Sequence, residues 1–360
     1  MTERMAPVGI GLLGCGGIAQ YAYLRLLPRT RGARLVAVAD PDPEARTRAR
    51  TIAGVPVHEQ AEELLARDDL EAVIISAPTR VHAELARFAA RAGKHLFVEK
   101  PLATTLEDAR SVVAEAARAD VRGAVGFNRR FHPLYRQARA ILSRGTIGRV
   151  RTVVTAFCEP MATKPPSAWR VTRANGGGVL LDLASHHLDL IRWFLDDEIV
   201  DVSATVTSMA TEEDSARLRL LLRSGIEVVG AFSYRSGFAD FLEFVGERGS
   251  LRVDRHRPTL ELRKMRRLGY GIRRARVIPA PEVIAWRATR MVRRVREPSY
   301  GRSIGAFVDL VRGRQVGSLA TLSDGVRNIE IIVAAEASAR QGGEVVPLAV
   351  PPLHDGRVGV

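Results

Sequence analysis

Over its first third the chain alternates short apolar runs with amphipathic stretches of helical period. VGIGLL (8–13), ARLVAVAD (33–40), AVIISAP (72–78), HLFVEKP (95–101) and GAVGFN (123–128) read as strands buried on both faces. Between them, GCGGIAQYAYLRLLPRT, RVHAELARFAARAG and TLEDARSVVAEAARAD carry apolar residues at helical spacing. Strands alternating with helices predict an α/β fold on a doubly wound parallel sheet. In such sheets ligands sit beyond the carboxyl ends of the strands. Ser76, Pro78 and Thr79 close one such strand, and Glu99, Lys100 and Pro101 another.

A different pattern occupies residues 178–195, GVLLDLASHHLDLIRWFL. It predicts a helix that is apolar almost all round. Asp182, His186 and Asp189 fall at i, i+4 and i+7, so they share one face. Burying that stripe without partners costs a few kcal/mol per polar group. Asp189 reads as a local pair with Arg192 at i+3, and His187 points away from the stripe as a structural residue.

The glycines near the start allow two registers. Gly9-Gly11-Gly14 fits G-x-G-x-x-G and Gly14-Gly16-Ala19 fits G-x-G-x-x-A. The first would place the strand inside the phosphate turn. The second puts the turn after the strand and opens a helix, as dinucleotide binding requires. In that register Gly14 makes the turn and Gly16 admits the pyrophosphate, with Gly17 and Ile18 leading into a helix that Ala19 lets approach the sheet. Asp40, 21 residues beyond Ala19, stands where an acidic side chain binds the ribose 2′-hydroxyl. That favours NAD, with NADP the other option. Pro41-Asp42-Pro43 also reads as a turn opening a helix, and both readings of Asp40 hold together.

Length predicts two domains in 360 residues, and 46% apolar residues suffice for their cores. No apolar run reaches the ~18 residues of a membrane span, and the start does not read as a secretory signal. Two cysteines, Cys15 and Cys158, exclude a disulfide framework and fit a cytoplasmic protein. No cluster has metal-ligand spacing. The net charge is +14, yet thirteen Arg or Lys against three Glu fall between Glu261 and Arg302, a local excess of +10. Basicity is therefore local and does not mark a nucleic-acid-binding protein. Within this segment Ile284, Ala288, Met291, Val292 and Val295 recur at helical spacing among arginines, predicting a basic amphipathic helix. A helix with a solvated arginine face, a peripheral contact with anionic lipid through residues 262–302, and a grip on a phosphorylated or nucleotide-linked sugar all fit it.

Lys100 has a second distinction: the chain has four lysines among fifty arginines. A lysine at a strand end is commonly a surface residue. Here it also suits a need for a compact ammonium.

GLLGCGGIA, VAVAD, AGKHLFVEKPLA, GFNRRFHP, AWR and GGGVLLDLASHHLDLIRWF, in this order and spacing, resemble the Gfo/Idh/MocA oxidoreductases. The likeness runs to AFVDLVRGR and the segment that follows. It implies NAD(P)-dependent dehydrogenation of sugars or cyclitols. It further implies a Rossmann domain over residues 1–128 and a C-terminal α/β domain over 129–350. The second has an open, mostly antiparallel sheet that often joins dimers or tetramers, and 351–360 are a tail. Carried over by motif, Lys100, Asp182 and His186 form the catalytic group, and the Lys100–Pro101 bond is cis. Thr79, His82 and Glu99 match positions near the nicotinamide. Asn128, Arg129, Trp169 and Arg170 match substrate positions. His186 would serve as acid/base with Lys100 supporting the developing charge, or the two roles exchanged. Two other readings are an NAD-dependent glycosidase working by transient oxidation and a non-catalytic nucleotide-binding sensor or membrane-associated protein.

Overall fold

Strand β1 (Val8–Leu13) is buried at all six positions, and its glycines explain how it fits. A Cβ on Gly9 would overlap the Asp69 carbonyl oxygen, and one on Gly11 would overlap Leu64 and Leu70. Gly9 and Gly11 are thus packing glycines inside the strand. The turn begins at Gly14, which decides between the two registers.

The computed structural model describes residues 6–161, 168–257, 259–265, 272–293 and 297–349. The chain forms two units. The first holds β1, β2 (Ala33–Ala39), β3 (Val57–His58), β4 (Ala72–Ile75), β5 (His95–Val98) and β6 (Gly123–Val125). Its sheet runs β6-β5-β4-β1-β2-β3, all parallel, with the short strand Ala320–Thr321 added antiparallel beside β6. Helix starts follow the sequence. Asp42 accepts from the Glu44 amide ahead of helix Pro43–Ala53, and Thr105 accepts from the Asp108 amide ahead of helix Leu106–Arg118.

The first unit extends to Phe131, and residues 297–329 return to it. The sequence expectation had assigned everything from 129 to 350 to the second domain. Helix Pro298–Val311 places Ile304, Phe307, Val308 and Val311 in one core with Ile10, Leu12 and Phe97. Arg122 donates to the carbonyls of Leu310 and Val311, and Arg130 pairs with Asp324 at 3.3 Å.

The second unit is built on a nine-stranded sheet. Its strands are β7 (Val150–Cys158), β8 (Ile199–Thr207), β9 (Ser215–Leu222), β10 (Glu227–Ser233), β11 (Ala239–Gly246), β12 (Gly249–Asp254), β13 (Thr259–Met265) and β14 (Ile272–Pro279), with a short strand Val346–Pro347 beside β8. The order is β14-β13-β12-β11-β7-β10-β9-β8, and among the described residues of this sheet only β7 and β10 pair in parallel. Alternation sends Leu218, Leu220, Phe232, Leu242 and Phe244 inward. Phe194, on helix Ser185–Leu195, packs its ring on Phe244. The outer face leaves Val154, Val229 and Val245 between 39% and 50% exposed.

Two expectations need correction. Residues 180–195 are not one α-helix: Leu180–Ala184 form a π turn before helix Ser185–Leu195. The wider turn breaks the i, i+4 stacking assumed for Asp182 and His186. In the basic segment, helix Pro281–Arg293 buries Val283, whereas Ile284 is 44% exposed and Ala288 is also exposed. The expected apolar stripe is therefore mis-phased at its start. Val295 lies outside the described residues, as do the side chains of Met291 and Val292. No helix among the described residues is long and apolar enough to cross a membrane.

Candidate active site

In the first unit, Gly14 carries φ +91°, and a Cβ there would lie 2.5 Å from the Ala77 nitrogen. Its amide donates to the Ala39 carbonyl and its carbonyl accepts from Ser76 Oγ. Gly16 and Gly17 face open space: an added Cβ meets nothing within 4 Å. Ile18 leads into a buried Ala19 at the head of a π turn, Ala19–Tyr23. Asp40 Oδ2 accepts from the Cys15 amide at 2.6 Å, and Oδ1 from the Asp42 amide at 2.9 Å. Asp40 therefore fastens the glycine turn to the end of β2. A carboxylate has about four acceptor sites, so these bonds leave capacity for ribose hydroxyls. The open glycine face and this carboxylate fit a dinucleotide. Burial, then the Asp40 charge, push the Cys15 thiol up to about 12, which keeps it from acting as a nucleophile.

The Glu99–Pro101 loop is braced from beneath. Glu99 is buried, with Tyr23 donating its hydroxyl to one carboxyl oxygen and the Lys100 amide donating to the other at 3.0 Å. Burial raises the Glu99 pKa, against the pull of Tyr23 and Lys100. His82 is buried, with its ring nitrogens 2.8 Å from the carbonyl oxygens of Pro101 and Ala77. It ties this loop to the one after β4, where Pro78 is exposed and Thr79 buried. Glu99 and His82 thus support the half-buried Lys100, whose bond to Pro101 is cis. Asn128 and Arg129 are buried in this same unit, with Asn128 donating to Ser299 Oγ at 3.1 Å.

In the second unit, Asp182 is the hub. The Tyr234 hydroxyl donates to Oδ2 at 2.9 Å, and Arg170 Nε pairs with the same oxygen at 3.1 Å. Arg170 stacks over the Trp169 ring at 5.1 Å and also reaches Glu159 at 3.9 Å. Burial and the Asp182 charge hold the Tyr234 pKa well above its ordinary value, so it stays a donor. His186, half-buried, lies 6.2 Å from the Phe157 ring between centroids. Arg192 pairs with Glu198 at 2.7 Å.

Residues 8–127 match the family profile described as an oxidoreductase family with an NAD-binding Rossmann fold, and residues 135–252 match the GFO/IDH/MocA C-terminal domain. An inositol 2-dehydrogenase of Rhizobium meliloti is 34% identical over 70% of this chain and 77% of its own. The chain belongs to the Gfo/Idh/MocA oxidoreductase family. A dTDP-3,4-didehydro-2,6-dideoxy-alpha-D-glucose 3-reductase of Actinomadura kijaniata is 31% identical over 69% of this chain and 75% of its own. The crystal structure of an oxidoreductase domain protein from Kribbella flavida superposes with TM-score 0.83 at 26% identity, covering 96% of this chain and all of that one.

This Gfo/Idh/MocA member thus gathers its motif residues in three sets, two in the first unit and one in the second. Gly14, Gly16, Asp40 and Ser76 surround the glycine turn, and Thr79, His82, Glu99 and Lys100 surround the cis loop. Trp169, Arg170 and Asp182 form one cluster with Tyr234, which sequence reasoning missed. A signal existed: Tyr234 follows Phe232 by two and continues the inward alternation of β10 one residue past its end at Ser233.

Glu213 backs the glycine turn ahead of Asp182. Its carbonyl accepts from the Val179 amide at 2.8 Å, and Gly178, at φ +87°, passes so close that a Cβ would lie 2.7 Å from Glu213 Oε2. Burial, then the Glu336 carboxylate, push the Glu213 pKa from 4.5 to about 7, against Arg173. Between those values the native state holds a proton that the unfolded chain has released. Stability therefore falls as pH rises through that window and stays lower above it, by up to about 3 kcal/mol. Glu213→Gln, which is always neutral, is expected to raise the urea-unfolding free energy by about 1–3 kcal/mol near pH 8 and by much less near pH 5. A uniform gain at both values would show that the carboxylate does not titrate there.

Proposed function

We propose that the protein is an NAD-dependent dehydrogenase acting on a secondary alcohol of a sugar, cyclitol or nucleotide sugar. The observation that carries this is the Asp182 cluster. A buried carboxylate fixed by Tyr234 and Arg170 stands four residues ahead of His186, a polar grouping suited to neighbouring hydroxyls. The names of the inositol and dTDP-sugar relatives agree with this class of substrate. Bound nicotinamide supplies the hydride acceptor. His186 takes the hydroxyl proton, as an imidazole ordinarily titrating near pH 6.5 does well. The Lys100 ammonium stabilises the negative charge that develops on the reacting oxygen. Asp182 orients the adjacent hydroxyl. Asp40 accepts from the ribose hydroxyls and so prefers NAD to NADP.

We also propose that copies of the chain associate through the outer face of the second sheet. Val154 and Val229 are cross-strand neighbours there, flanked by Arg219 and Glu243 in the same row. Charges of both signs around an apolar centre suit a self-complementary twofold contact.

The deciding test is net NADH formation, followed by absorbance, with NAD or NADP and a panel of inositols, aldohexoses and nucleotide sugars. NADH should accumulate with at least one member. Asp40→Ala should raise the KM for NAD about tenfold or more, the weight of a charge-assisted hydrogen bond, and change that for NADP less. NAD binding with no net NADH across the panel would favour the glycosidase or sensor readings.

A further inference from the structure

His187 is fully buried, and its two ring nitrogens are both held. Nδ1 lies 2.6 Å from Thr155 Oγ1, and Nε2 lies 3.0 Å from Asp240 Oδ1. Proton counting then assigns a proton to each ring nitrogen. The Thr155 hydroxyl has one proton and donates it to the Phe241 carbonyl at 2.9 Å. With that proton on Phe241 the hydroxyl accepts from His187, so Nδ1 donates. Nε2 faces a carboxylate oxygen, which also accepts. Arg255 stands 3.5 Å from the other Asp240 oxygen and favours the ionised carboxylate. Two acceptors need two N–H groups, and a buried imidazolium is tolerable only beside a partner such as Asp240.

Two links run from this pair to the proposed proton acceptor. His187 follows His186 in the chain. Its ring also stacks on Phe157 at 5.4 Å and 20°, and Phe157 packs against His186. Phe232 closes the other side edge-on at 5.9 Å. Thr155 and Phe157 are inward residues of β7, and Asp240 is an inward residue of β11.

We infer that His187 and Asp240 form a buried imidazolium–carboxylate pair that, through Phe157, positions His186 for proton transfer. His187 and Asp240 are positioning residues. The inference rests on the reading of His186 as acid/base for its kinetic part and stands on geometry alone for its protonation part. Arg255 is a charged group beside the pair, and His186 reaches it through the shared Phe157 ring.

The test uses the full chain labelled with ¹⁵N-histidine. The His187 resonances, assigned by their loss in His187→Gln, should show both ring nitrogens protonated across about pH 6–9 in the wild type. In Asp240→Asn one nitrogen should lose its proton. In turnover, Asp240→Asn should lower kcat roughly 10- to 100-fold, the penalty of a misplaced catalytic group, with KM within about twofold. The limb of the kcat–pH profile that reports His186 should move. Thr155→Val, the same shape without the hydroxyl, should lose less, and Thr155→Ser should restore the wild-type value. If Asp240→Asn does not fold, the Thr155 pair carries the kinetic test. An unprotonated His187 nitrogen in the wild type near pH 7 overturns the pair. Wild-type kcat and pH profile in folded Asp240→Asn, or in Thr155→Val where Asp240→Asn does not fold, overturn its positioning role. Full turnover in His186→Asn would remove the acid/base reading, while the nitrogen spectra would still decide the pair.

Discussion

Replacing His186 with Asn should lower kcat by about 10²–10⁴-fold, the usual contribution of a positioned acid/base. Asn keeps a polar, planar side chain of smaller size, so the fold should survive. The other ionisable groups of the Asp182 cluster are committed. Asp182 is held by Arg170, and Tyr234 retains its proton because burial and Asp182 keep its pKa high. Lys100→Ala should cost a similar factor by removing charge stabilisation, and Lys100→Arg should not restore it, because a planar fork cannot replace a compact ammonium. NADH affinity, measured by fluorescence, should stay within a few-fold of wild type in His186→Asn. Turnover above a tenth of wild type in that variant would move the acid/base role to Lys100, the exchanged assignment.

The first unit was largely legible because its signals are local. Short apolar runs, helical spacing and one glycine turn each lie within about twenty residues, and β1, β2, β4, β5 and β6 follow them closely, whereas the two-residue β3 carries no such run. Even the choice between glycine registers rested on a local argument, that a strand must precede its turn. What was not legible depends on long-range packing. The return of residues 297–329 to the first unit is set by Phe307 and Ile304 finding a core formed by residues near the start. Nothing in their own pattern names that partner. The π turn at Leu180–Ala184 was missed because apolar periodicity does not resolve one extra residue per turn. The Tyr234–Asp182 and His187–Asp240 contacts join residues 52 and 53 positions apart. Tyr234, one residue past β10, and Asp240, an inward residue of β11, are buried polar groups whose partners appear only in the folded chain.

Gly14→Ala and Gly16→Ala should separate the two uses of glycine in the cofactor turn. At Gly14 the obstacle is the protein itself. The backbone sits at φ +91°, where an L side chain is strained, and the new Cβ would press on the nitrogen and Cα of Ala77 and the carbonyl carbon of Ser76. Those are backbone atoms at the end of β4 and cannot swing aside. Left-handed strain alone costs about 1–2 kcal/mol, and overpacking adds about 1–3 kcal/mol. Gly14→Ala should therefore lower the thermal midpoint by several degrees and weaken NADH binding by more than tenfold, since the Cys15–Asp40 contact beside it would shift too. At Gly16 the protein offers no obstacle, as an added Cβ meets nothing within 4 Å. Gly16→Ala should leave the midpoint of the ligand-free protein within about a degree. It should still weaken NADH binding roughly tenfold or more, because the methyl would occupy the space through which the backbone approaches the pyrophosphate. Differential scanning fluorimetry with and without NADH reads both effects together. Unchanged NADH affinity in Gly16→Ala would mean that the pyrophosphate does not lie against this face of the turn, and the placement of the cofactor would have to be redrawn around Gly17 and the end of β4.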